Sequence, residues 1–279
     1  MSTHSSTYLL ILMFALSLLA FAPLAFAVDG VVLINQATST NGLPGCAHAG
    51  FPIIICKSGS YRLSGNLTVS AINTDAIDIN AGNVTIDLNG FTISGPASCV
   101  IGTYPVQCSN VGSGNGIFSH ANFNTVRNGT VRGFGGGVIF TATAAVIDGV
   151  RAESNSDSTS AGIMVFDGLV IHCVATTNAG DGISGGLATV SLNSASDNGA
   201  FGFHRGATVN NNTALSNGQD GINGALSVIH NASFGNIGWG IVNNSSQAGY
   251  LGNIVSGNGL GTIFGGVSLG QNLCNGTIC

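Results

Sequence analysis

The sequence predicts an all-β solenoid with three short strands per coil, and three observations predict it. Six asparagines, Asn155, Asn178, Asn198, Asn217, Asn236 and Asn258, recur at intervals of 23, 20, 19, 19 and 22 residues. Each of the last five is followed five residues later by an apolar residue: Ile183, Phe203, Ile222, Ile241 and Ile263. Apolar residues are otherwise spread singly among Gly, Asn, Ser and Thr, with only 6% of the chain charged. A fixed period near twenty residues is the mark of stacked repeats, and scattered apolar positions suit short strands between polar turns.

Residues 1–27 read as a signal peptide. Residues 8–21 are almost wholly apolar, and Ala25-Phe26-Ala27 forms a small-x-small cleavage signal ahead of Val28. The start carries His4 but no Lys or Arg, so an uncleaved anchor is the rival reading; Pro23 interrupts the apolar run too soon for a spanning helix. No later stretch is long and apolar enough to span a bilayer. Removing 27 of the 279 residues leaves 252, enough for one solenoid domain with capping segments.

Residues 28–66 read as an N-terminal cap tied by Cys46 and Cys56. The repeats occupy 67–265, and 266–279 form a C-terminal cap closed by Cys274 and Cys279. Within the repeats, residues 75–95 alternate strongly as a pair of strands, and residues 125–134 repeat their rhythm. Residues 96–114 are an insertion enclosed in part by Cys99 and Cys108, expected as a loop on one face. Glycine-apolar steps then mark the coils at Gly116, Gly137, Gly162, Gly182, Gly202, Gly221 and Gly240. A second inward column is Val170, Val190, Val209, Val228 and Tyr250; a third is Ala175, Ala195, Ala214, Ser233 and Val255.

Each strand is too short to bury a face alone. Parallel pairing with the equivalent strand of the next coil, about 4.8 Å away, satisfies the backbone and stacks like side chains inside. Asparagine suits the turns, where it tolerates left-handed backbone and bonds the amide one coil above. Glycine beside it supplies positive φ. A leucine-rich repeat would place Leu where this chain has Val, Ala and Ile. Helical repeats fail because Gly and Asn at this density oppose helix.

Asn83-Val-Thr-Ile-Asp-Leu-Asn-Gly-Phe-Thr-Ile-Ser-Gly95, Arg127-Asn-Gly-Thr-Val-Arg-Gly-Phe134 and the Asn-x-x-Gly-Ile coils resemble the right-handed parallel β-helix repeat proteins, the group sharing the pectate-lyase fold. The resemblance covers residues 61–265. It implies the fold and not one activity, because the family holds lyases, hydrolases, epimerases and adhesins.

All seven cysteines follow the signal segment, and six form the close pairs Cys46 with Cys56, Cys99 with Cys108, and Cys274 with Cys279. Export permits local disulfides. Metal ligation is the rival, but no C-x-x-C spacing occurs. Cys173 takes the place that Asn193, Asn212, Asn231 and Asn253 hold in neighbouring coils, so it reads as a buried inert thiol.

Similarity to the lyases of this fold implies a calcium site, for which Asp181, Asp197 and Asp220 are the candidates. Asp181 and Asp220 lie two coils apart, about 10 Å by the stacking distance, so the aspartates read as solvated turn residues instead. Asn73-Thr74-Asp75 matches one polygalacturonase element, yet no Asp-Asp pair or Gly-His-Gly follows it. His172 and His230 share a column three coils apart, and Met164 stands alone after the signal, so no copper site assembles. No metal and no cofactor are expected.

The densest mixture of functional side chains is Phe201, His204, Arg205, Asp220, Asn223 and Trp239. Of these, His204, Arg205, Asp220 and Trp239 are the candidates for substrate binding, because aromatic, basic and amide groups on one face can hold a sugar by stacking and bidentate hydrogen bonds. His204 and Arg205 adjoin, so both serve one site only where Gly206 ends the strand or a bend turns them together. Six basic against eleven acidic residues leave no basic face for a phosphate backbone, which excludes nucleic acid as a partner. Eight glycosylation sequons are expected by chance in a chain so rich in Asn, Ser and Thr.

The expectation is a secreted or periplasmic single chain that binds or processes an extracellular polysaccharide. The alternative is a non-catalytic structural or adhesive surface protein. Whether the chain is an enzyme stays open at this stage.

Overall fold

The structure is a computed structural model that describes residues 30–46 and 48–279; the signal-peptide reading of 1–27 lies outside them. From Ile53 onward the chain winds as a parallel β-solenoid with three strands per coil. The first face stacks ten strands in coil order: Ile53–Ile55, Ile77–Ile79, Asn115–Ser119, Gly136–Phe140, Ala161–Val165, Asp181–Gly186, Phe203–Arg205, Ile222–Asn223, Trp239–Asn243 and Gly261–Gly265. The second and third faces join into one 20-stranded sheet, since Thr125–Arg132 and Ala145–Glu153 each run unbroken round the corner between them.

The three inward columns hold as the repeat implies. Ile183, Phe203, Ile222, Ile241 and Ile263 pair in direct register on the first face. Val170, Val190, Val209, Val228 and Tyr250 do so on the second, and Ala175, Ala195, Ala214, Ser233 and Val255 on the third. Large, medium and small columns thus meet across a triangular interior, which keeps the core filled along its length. The first coil already includes Ile53–Ile55 and Gly59–Leu63, paired with the strands that follow. Its strands therefore lie inside the stretch 28–66 read as the cap, which their uneven spacing had hidden. Ahead of them, Gln36–Asn41 forms a short helix whose capping box joins Asn35 and Thr38.

The asparagines form two buried amide ladders at the corners. Asn178 donates its N–H and its Nδ2 to Asn198 Oδ1, at 3.1 and 2.9 Å, and a second Nδ2 bond goes to the Ala152 carbonyl at 3.1 Å. The pattern continues from Asn198 through Asn217 and Asn236 to Asn258. The parallel ladder runs from Asn193 through Asn212, Asn231 and Asn253 to Asn272. Cys173 heads this second ladder, donating only its N–H to Asn193 Oδ1 at 2.8 Å.

The left-handed backbone is not on these asparagines. It falls on the residue immediately before each one: Ser154, Thr177, Asp197, Ser216, Gly235 and Gly257 in the first ladder, and His172, Leu192, Asn211, His230, Gly252 and Gln271 in the second. That turn swings the following amide inward, where it meets its counterpart. The glycine of each Gly-apolar step likewise serves close approach and not positive φ. A Cβ on Gly162, Gly182, Gly202, Gly221 or Gly240 would lie 2.5 to 2.7 Å from the Nδ2 of a ladder asparagine.

All three local disulfides are present, Cys46 to Cys56, Cys99 to Cys108 and Cys274 to Cys279, and Cys173 is a buried free thiol. Burial pushes that thiol up to about 12, which removes its nucleophilic form near neutral pH. The insertion is an antiparallel hairpin, Ser98–Val100 with Gln107–Ser109, and it folds back along the corner after the third face. At its tip the Tyr104 hydroxyl donates to the Ser216 carbonyl and lies 3.5 Å from Asp197 Oδ1.

Candidate functional site on the first face

The outward lane of the first face runs Met164, Ser184, His204, Asn223, Val242 and Phe264 in direct register. His204 and Asn223 therefore stand side by side in adjacent coils. The strand Phe203–Arg205 ends at Arg205, where φ is 61°, and Gly206 follows with φ 122°. The register also slips, pairing Arg205 with Gly186 in place of Gly185. This bend turns Arg205 outward, so His204, Arg205 and Asn223 line one shallow groove of ≈ 420 Å³ with Leu187, Leu226 and Asn244. Arg205 is exposed and makes no ion pair among the described residues. Its other side closes a smaller apolar hollow of ≈ 180 Å³ lined by Phe140, Met164 and Phe166.

Aspartates at the entry corner hold this face in place. Asp181 Oδ1 accepts the Phe201 N–H at 3.2 Å, and its Oδ2 lies 2.7 Å from His204 Nδ1. The imidazole is thereby oriented, and the Phe201 ring packs 4.7 Å away. Asp220 Oδ1 accepts the Trp239 N–H at 2.7 Å, while its Oδ2 accepts from Asn223 Nδ2 at 2.6 Å. Asp75 does the same one end earlier, accepting the Asn115 N–H at 2.5 Å; burial raises its carboxyl above the usual range. These carboxylates are struts between coils, each engaged through a backbone amide.

Of the four candidates, the structure brings His204 and Arg205 into one groove. Asp220 reaches it only through Asn223, with both oxygens engaged, and borders a separate hollow of ≈ 390 Å³ with Phe201, Ile237 and Leu260. Trp239 packs against Phe264 one coil further on, at 5.3 Å between rings. The sequence reading treated Asp181 only as a calcium candidate and missed its bond to His204. A separation of one coil plus three residues was the available signal. Asp197 lies on the far corner beside Tyr104, and no cluster of three or more metal-ligating groups occurs among the described residues.

No protein-family model matches the chain, and no curated protein matches it. Two solved structures are similar in backbone course. One is the Dettilon tailspike protein, at 17% identity and TM-score 0.49, covering 71% of this chain and 47% of that one. The other is the A-module of the Azotobacter vinelandii mannuronan C-5 epimerase AlgE4, at 17% identity and TM-score 0.48, covering 72% and 70%. The chain thus spans about half the length of the tailspike. No helix among the described residues is long and apolar enough to cross a membrane.

Proposed function

We propose that this β-solenoid is an exported protein that binds an acidic polysaccharide across its first face. Arg205 carries the reading: an exposed guanidinium, without an ion pair among the described residues, is turned by a strand break to the same side as an oriented imidazole and an amide. A planar guanidinium grips a uronate carboxylate bidentately, while His204 and Asn223 meet ring hydroxyls. The exposed faces of Leu187 and Leu226 supply apolar contact to a sugar ring.

The Asp181 to His204 bond favours a second reading, processing of the bound polymer. A carboxylate on Nδ1 leaves Nε2 as a base beside the cation that binds the substrate carboxylate. The test is a binding screen of Arg205→Ala against acidic polysaccharides, with circular dichroism as the folding control. Affinity is expected to fall ~10-fold or more, the scale of a lost charged hydrogen bond. Equal affinity in the folded variant would remove the reading. Product analysis for unsaturated sugar ends separates binding from cleavage.

A further inference from the structure

We propose that the apolar hollow beside Arg205 is a subsite for an O-acetyl group carried by the polysaccharide. The inference rests on the binding function proposed above and names a substituent that the bound polymer bears. The hollow lies in the middle of the first face, between the strands Gly136–Phe140, Ala161–Val165, Asp181–Gly186 and Phe203–Arg205 of successive coils. Gly186 and Arg205 line both the hollow and the groove. A sugar held by its carboxylate at Arg205 therefore brings its neighbouring ring positions to the mouth of the hollow.

The lining selects the occupant. Phe140, Met164, Val165 and Phe166 make it apolar, and Phe166, just past the end of its strand, is 51% exposed. Two hydroxyls interrupt these walls. That of Thr141 is engaged, donating to the Ser119 carbonyl at 3.1 Å. That of Ser184 is not: the residue lies beside Met164 in the outward lane, is only 8% exposed, and has no hydrogen-bond partner among the described residues. So enclosed a donor costs free energy that an acceptor on a ligand recovers.

The hollow thus calls for a short apolar group with one acceptor at its root. Its ≈ 180 Å³ falls below the ~300–1,000 Å³ of pockets that enclose a whole small ligand, so a substituent enters and the sugar ring stays in the groove. A bare ring hydroxyl would leave the apolar walls in water. A methyl ester on the carboxyl would erase the charge that Arg205 grips. An acetyl ester on a ring hydroxyl meets every condition. Its methyl packs on Met164 and the phenyl rings, its carbonyl oxygen accepts from Ser184, and the uronate carboxylate stays free for Arg205.

The test titrates the purified chain with polygalacturonate and polyglucuronate, each before and after chemical O-acetylation. Affinity is read together with the methyl resonance of isotope-labelled Met164, the one methionine among the described residues and a direct reporter of the hollow. The acetylated forms are expected to bind ~10-fold tighter, the worth of one buried methyl and one net hydrogen bond, and they alone should shift the Met164 signal. Ser184→Ala and Phe166→Ala, each checked by circular dichroism, should each shrink that preference to ~3-fold or less. Equal affinity for the two forms, an unmoved Met164 signal, or a preference that survives both substitutions would overturn the subsite. In each of those cases a loss of affinity in Arg205→Ala leaves the function proposed above standing, whereas absence of binding to either form overturns both.

Discussion

Asn217 has a coil above and a coil below, and its side chain serves both. It accepts from the N–H and Nδ2 of Asn198 and donates to Asn236 Oδ1 and the Ala195 carbonyl. Asn217→Ala is expected to cost on the order of 3 kcal/mol, because buried donors and acceptors in two coils lose partners together. Asn217→Asp should cost more: it retains an acceptor but sets a buried carboxylate against two oxygens. Asn258→Ala, at a partly exposed ladder end, should cost least of the three. Urea unfolding by circular dichroism gives the order. The period made the ladder legible in the sequence, but not the left-handed residue before each rung. Of Ser154, Thr177, Asp197, Ser216, Gly235 and Gly257, only the two glycines take positive φ freely, so at the other four the stack imposes the conformation and residue type does not announce it. The glycine steps were read correctly as coil markers for an incomplete reason, since their contact with the amides is visible only in three dimensions.

The hairpin at 98–109 shows the limit at the scale of an element. Its strands are off-period, and the partners of Tyr104 lie 93 and 112 residues away, so nothing local in the sequence points to them. Burial first, and then the neighbouring Asp197, push the Tyr104 phenol from 10.0 up to about 12. The folded state thus favours the neutral phenol. Its contribution to stability is complete below pH 10 and is lost as pH rises through about 12. Tyr104→Phe is expected to cost ~1 kcal/mol at neutral pH, the net worth of one hydrogen bond, with the gap to wild type closing above that range. Burial also raises the Tyr61 phenol, so ultraviolet titration should show one late-ionising tyrosine fewer in the variant than in the wild type. The groove at Arg205 was legible as a cluster on adjacent coils, whereas the strand break that makes it one site depends on a register slip between neighbours.

For the whole molecule, Cys173 is a natural reporter. It is 1% exposed in the middle of the stack, with its thiol facing the Ile147 and Ile171 carbonyls. Local fraying at either end leaves it covered. Alkylation at pH 8 is therefore expected to be negligible in the folded chain and rapid in denaturant, while non-reduced peptide mapping returns the three local disulfides. Brisk labelling of the folded chain would mean that the central coils open independently of global unfolding.

Every asparagine-to-asparagine bond of both ladders points one way. From rung to rung, the N–H and one Nδ2 hydrogen of each asparagine short of the last reach forward to an oxygen on the coil that comes later in the chain, while the other Nδ2 hydrogen of Asn178, Asn193, Asn198, Asn212 and Asn217 returns to a carbonyl of the coil before. A finished coil therefore displays two donors with no acceptor until its successor arrives. On a ribosome, where the amino end emerges first, each new coil meets a template whose vacant positions already specify an asparagine and its register. The molecule has a direction of assembly written into its amides, and growth from the other end would present acceptors before there were donors to fill them.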